Sequence, residues 1–243
     1  MSFTSDLLAL RDKRHTKNHP LFDRWVAGEL TVPQMARFIA QHYHFAKSVI
    51  STFGICFAKT VPEVQKFMIG NLAEEFGIGD EYDGHHYEAD EDHGHNDLLL
   101  RFAAVGGLSA ADVEQTELLP GTRALLDFLW RIAYNEPWQV YLAAQSSLES
   151  QMVGLQQRLL PAFSQYGFER TDKRIQWFAA HETADIRHSE DALALIAKYV
   201  TNDDLAERCR RGVIEACDTR LRYYDNIYRA YVGPLPELTQ SRR

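Results

Sequence analysis

Apolar residues recur at helical spacing through nearly every long segment of this 243-residue chain, and no run of alternating valine, isoleucine and threonine interrupts them. A strand buries every second residue, whereas a helix buries positions three and four apart, so this one pattern excludes a sheet core and predicts an all-α bundle. Caps and breakers set the expected limits. Residues 5–15 and 20–28 read as the first helices. Thr31 is placed as an N-cap with Pro33 in the first turn, opening a helix to about Lys59. Pro62 restarts the helix over 62–76. A helix over 96–105 ends at Gly106-Gly107, Ser109 caps a short one, Pro120 precedes 121–134, and Pro137 opens 137–158, with Pro161 interrupting it. The last two are expected over 172–199 and, capped by Thr201, over 202–232, where "GPLPE" ends it. With no repeat and no Gly/Ser linker, residues 1–243 read as a single domain, broken only by an acidic, histidine-rich insertion at about 78–94.

Composition narrows the function. Apolar residues at 45% and charged residues at 25% fit a globular protein that keeps its surface in water. A formal charge of −8 argues against nucleic acid as a partner, since phosphate binding needs a basic face. No segment reaches the roughly 20 apolar residues that span a bilayer, and the N-terminus lacks a signal-peptide core, so a cytoplasmic location without membrane association is expected. Cys56, Cys209 and Cys217 form no CxxC pair and suit a reducing compartment as buried small side chains.

Against this background "HETADIRHSE", residues 181–190, is out of place. His181, Asp185 and His188 stand i, i+4, i+7 on one stripe of a helix; around them Phe178, Ile186, Leu193 and Ile196 give it a buried side, with Arg187 and Glu190 available to the solvated one. The stripe is either part of a buried surface or a wet flank; spacing alone does not choose. Glu149 sits among Leu142, Leu148, Met152 and Leu155, and Glu74 and Glu75 end an apolar helix. A lone Glu149 reads as a solvated helix residue. Together, the acids raise the question of burial, because a buried carboxylate must be neutralised, paired or metal-bound. Carboxylates facing imidazoles across a bundle are the recipe for a dinuclear iron or manganese site. Without a thiolate in the set, Fe(II) or Mn(II) is favoured over structural zinc.

The segments "RWVAGELTVPQMARFIAQHYHFAK", "NLAEEFG", "HNDLLLRFAAVGGLSAADVE", "SSLESQ" and "FAAHETADIRHSEDALALIAKY" occur in this order and resemble the haem-oxygenase-like diiron oxidases. The branch is close to the chlamydial protein associating with death domains, and related to pyrroloquinoline-quinone synthase and the thiaminase-II folds. The resemblance spans about residues 15–230. It implies a haem-oxygenase-like helical bundle in which Glu75, His95, Glu149, His181, Asp185 and His188 bind two Fe(II), or Mn in their place. The implied activity is an O2-dependent, non-haem oxidation of a small metabolite, an amino-acid or fatty-acid derivative, in specialised biosynthesis. Other than these ligands no catalytic residue is implied, and family members are often homodimers.

Two departures qualify it. The insertion "DEYDGHHYEADEDHG" adds His85, His86 and His93, any of which a loop could bring to the metal in place of His95; otherwise it is a solvated acidic loop over the mouth of the site. His95 is preferred because it directly precedes the matching "DLLLRFAAVGG". The chlamydial relative makes p-aminobenzoate at the expense of its own tyrosine, and the positions matching its tyrosine, second phenol and lysine are Phe22, Leu148 and Leu159 here. Self-sacrificing synthesis is therefore not expected. Alternatives are a cofactorless oxidase, a thiaminase-like hydrolase using Cys56, a protein-interaction module, or haem held by His15 or His19. Arg187 is a candidate for receiving a substrate carboxylate, and Glu74 and Glu182 for orienting the histidines.

Overall fold

Thr31 begins the longest early helix in the way its neighbours dictate: its hydroxyl accepts from the Gln34 N–H, and the Gln34 side chain returns to the Thr31 N–H. In the computed structural model, which describes residues 2–78, 81–82, 85–86, 94–182 and 184–236 (backbone alone at 81–82, 85–86 and 184–188), this helix is α3, Val32–Phe57. It follows α1 (Phe3–Asp12) and α2 (Pro20–Val26) and precedes α4 (Pro62–Glu75). Then come α5 (His95–Val105), α6 (Ala110–Glu114), α7 (Pro120–Asn135), α8 (Trp138–Ala162), α9 (Gln176–Ala180), α10 (Ala184–Tyr199) and α11 (Asp203–Tyr231). Prolines stand in the first turn of α2, α3, α4 and α7, where a missing N–H costs nothing. The insertion contributes a two-residue antiparallel ladder, Glu81–Tyr82 with His85–His86, which leaves the all-α class intact.

The central helix α8 packs along α10 and α11, while α3 packs on α5 and α7, and α11 closes against α7. Small residues make these approaches possible. A side chain at Gly212 would meet Val140, and one at Gly106 would strike Ala36. Between the layers runs a chain of aromatic contacts: Trp25 lies 5.9 Å from Phe38, 5.7 Å from Phe163 and 5.6 Å from Phe178, edge-on in each case. All four rings are buried. Edge-to-face pairs add about 0.5–1.5 kcal/mol each beyond the area they bury, so the short helix α9, which carries Phe178, is tied to α2 through Trp25.

Three sequence expectations are corrected. Pro161 does not interrupt α8, which runs on to Ala162. In a last turn proline forfeits a single hydrogen bond, and the chain leaves by a 3-10 turn at Phe163–Tyr166 and a left-handed Gly167. Asn202, not Thr201, caps α11, its carboxamide oxygen accepting from the Leu205 N–H at 2.9 Å. The expected 172–199 helix is three pieces: a 3-10 turn at Lys173–Ile175, then α9, then α10, with His181 at the end of α9. The last break bears on function. No described helix is long and apolar enough to cross a membrane.

Candidate metal centre

His181 ends its helix by competing with it. Its ring Nδ1 lies 2.8 Å from the Trp177 carbonyl, the oxygen that a continuing helix would have given to a backbone N–H four residues on. The Glu182 N–H bonds Ala179 instead, three residues back. Donation from Nδ1 to a carbonyl also fixes the tautomer in which Nε2 carries the lone pair that a metal would take. The neighbour that orients His181 is therefore a backbone carbonyl. Glu182, one of the two carboxylates expected to orient the histidines, pairs with Arg170.

A part-open cavity lies between α3, α4, α5, α8, α9 and α11. Glu75 from the end of α4, His95 from the start of α5, Glu149 from the middle of α8 and His181 all line it. His95 Nδ1 is 3.1 Å from Glu75 Oε2, and the His95 and His181 rings are 4.5 Å apart. Glu149 accepts from the buried Gln145 side chain one turn back, at 3.0 Å. The other Gln145 polar atom, Oε1, is buried without a hydrogen-bond partner among the described residues. Glu74 lines the same wall.

The structure thus brings four of the six expected ligands to one cavity. Asp185 and His188 belong to the backbone of α10, and their side chains lie outside the described residues, as does that of Arg187. Residues 181, 185 and 188 therefore do not share one continuous helix. His85 and His86 are described only as ladder backbone, and His93 lies outside the described residues. Among the described residues no three His, Cys, Asp or Glu side chains are gathered closely enough to hold an ion. The donor chemistry nevertheless fits iron: two carboxylates, two imidazoles, one imidazole already held in its ligating tautomer.

Two further residues shape the site without having been read from the sequence. His42, on the buried stripe of α3, packs on Trp177 with ring centres 5.0 Å apart. Burial first, then the positive field of Arg220, holds its pKa well below the usual histidine value, so it is neutral. Arg220 on α11 is 1% exposed and also lines the cavity. The signal was present: position 220 continues the stripe Val213, Ala216, Cys217, Tyr224, Ile227, and an arginine among buried positions asks for a reason.

Comparison with known proteins decides the family. Residues 36–221, about three-quarters of the chain, match the model of a haem-oxygenase-like family described as "iron-containing redox enzyme". The chain belongs to that family. Curated relatives include a 4-aminobenzoate synthase from Nitrosomonas europaea, 26% identical over 96% of this chain and 94% of the relative. One of the same name from Chlamydia muridarum is 26% identical over 84% of this chain and 81% of the relative. Among solved structures, a TenA homologue from Pseudomonas syringae superposes with a TM-score of 0.77 at 15% identity, covering 93% of this chain and 91% of that one. A CADD-like protein of unknown function from Nostoc punctiforme gives 0.71 at 15%, covering 95% and 98%. These structures share the haem-oxygenase-like all-α fold with this iron-family member.

Proposed function

We propose that this oxidoreductase is a non-haem oxidase that uses O2 at a two-iron centre to oxidise a small metabolite, an amino-acid or fatty-acid derivative. The observation that carries the reading is the convergence of Glu75, His95, Glu149 and His181, from four separate helices, on one cavity. Asp185 and His188 are proposed to complete the set. Iron bound there would supply the redox equivalents for reducing O2. The chain's own part is positional. Trp177 holds the His181 ring through its carbonyl, and Gln145 steadies the Glu149 carboxylate. Phe45, Val49, Phe53 and Met152 give the cavity a dry wall for the body of a substrate.

The thiaminase-like alternative loses its nucleophile, because Cys56 is buried and its thiol is pushed up to about 12 by desolvation. Haem is served no better. His19 has both ring nitrogens engaged, Nδ1 by the Leu21 N–H and Nε2 with Asp225 at 3.1 Å, and His15 accepts from the Lys17 N–H. The relatives are named for making 4-aminobenzoate. The positions that match self-sacrificing residues are Phe22, Leu148 and Leu159, all buried and none bearing a hydroxyl or amine, so an external substrate is assigned. O2 consumption by iron-loaded protein across amino acids and fatty acids tests the reading. Substrate-dependent uptake that a chelator abolishes is expected. Full turnover in metal-free protein would favour a cofactorless oxidase.

A further inference from the structure

We infer that the substrate of this cavity carries a carboxylate and that Arg220 receives it. This deepens the iron-oxidase reading and rests on it, because bound iron would take up the charge of the cavity glutamates and leave the arginine to a different anion.

The guanidinium is an unusual thing to bury. Arg220 is 1% exposed, yet no carboxylate among the described residues pairs with it. Its hydrogen bonds among the described residues go to uncharged groups: Nε donates to the Tyr224 hydroxyl at 3.1 Å, one terminal nitrogen to the Leu148 carbonyl, and the other to the Met152 sulfur at 2.8 Å. Phe45 and Tyr224 flank it, 5.6 and 5.7 Å from its central carbon to their ring centres. A guanidinium has five N–H groups and a thioether is a weak acceptor. Two N–H groups therefore have no acceptor among the described residues and a third has a poor one. Buried charge without a counter-ion is costly, and removing that cost is what an anionic ligand does best.

Position supports the same assignment. Arg220 lines the cavity and holds the carbonyl of Leu148, the residue directly before Glu149. A carboxylate on its fork would sit one residue along α8 from a proposed iron ligand. The carbons next to that carboxylate would then face Glu149 and His181, and an apolar body would lie along Val49 and Phe53. Planar, bidentate recognition of a carboxylate is what distinguishes arginine from lysine. The ligand class is thus a monocarboxylate with an apolar or aromatic body.

The test is anaerobic calorimetric titration of iron(II)-loaded protein with two matched pairs, 4-phenylbutanoate against 4-phenylbutanamide and octanoate against octanamide. Wild-type protein should prefer at least one acid over its amide by about tenfold or more, the size of a charge-assisted pair. Arg220→Met should erase that preference with iron content unchanged, and Arg220→Lys should retain part of it. Equal binding of acid and amide by wild-type protein, or binding of neither, overturns the inference without any variant having to fold. So does an undiminished preference in Arg220→Met, which would assign the anion to the metal. If the protein takes up no iron, the oxidase reading fails by itself, and the same titrations on metal-free protein still decide the role of Arg220.

Discussion

Replacing Gly106 by alanine tests the packing that brings His95 on α5 and His42 on α3 to one cavity. The backbone offers no objection, since φ at Gly106 is −84° and any residue adopts it. Space does object. A Cβ there would lie 2.2 Å from the Ala36 Cβ and 3.0 Å from the Val32 carbonyl oxygen. Non-bonded carbons settle at about 3.5–4.0 Å, so α3 and α5 would have to part by roughly 1.5 Å. Overpacking of this kind costs about 1–3 kcal/mol, and the rigid main chain on both sides places it at about 2–3. For a chain of this size the midpoint of thermal unfolding should fall by about 4–12 °C. Ala36→Gly alone should cost about 1 kcal/mol of helix propensity. Combined with Gly106→Ala it should return most of the loss, a coupling of about 2 kcal/mol in a urea-unfolding double-mutant cycle. Gly107→Ala is the control: φ is +87° with nothing within 4 Å, so it should cost about 1 kcal/mol through backbone strain and gain nothing from Ala36→Gly. A Gly106→Ala protein within 0.5 kcal/mol of wild type, or one that Ala36→Gly fails to rescue, would refute the close approach of α3 and α5.

Acid should destabilise the chain in a defined window. Burial first, then Lys17 and Arg11, lowers the His15 pKa from 6.5 to about 4, so between those values the unfolded chain holds more protons and stability falls as pH drops, with no contribution above 6.5. Allowing for the half-open ring, the loss from pH 7 to 4 should be about 1–2 kcal/mol by urea unfolding, and His15→Gln should remove that share of the pH response. An identical pH response in His15→Gln would contradict this. His95→Ala should lose metal while His85→Ala, His86→Ala and His93→Ala retain it, measured by iron analysis after anaerobic loading; the reverse pattern would move the ligand into the insertion.

Much of the bundle was legible because its boundaries are local chemistry. Thr31 with Pro33, Ser109, and the prolines at 62, 120 and 137 act within one helical turn, and each stands at or beside the helix start that the sequence assigns it. Failures arose where a side chain competed with the backbone or where tertiary packing decided. The end of α9 depends on the His181 ring reaching the Trp177 carbonyl, which no hydrophobic period records. The convergence of Glu75, His95, Glu149 and His181 on one cavity was implied by family resemblance, because periodicity says which face of a helix is buried but not which helix it meets. Arg220 is legible as an arginine on an apolar stripe, while the side chain of Arg187, the basic residue within "HETADIRHSE", lies outside the described residues.

The central claim is that residues from separate helices share a two-iron site. Iron content per chain after anaerobic Fe(II) loading and removal of excess, compared between wild type, Glu149→Ala and His181→Ala, tests it most directly. About two Fe(II) per folded wild-type chain, with clear loss in both variants at unchanged helical content, is the predicted result. One firmly bound iron, or none, with Glu149→Ala indistinguishable from wild type, would contradict it.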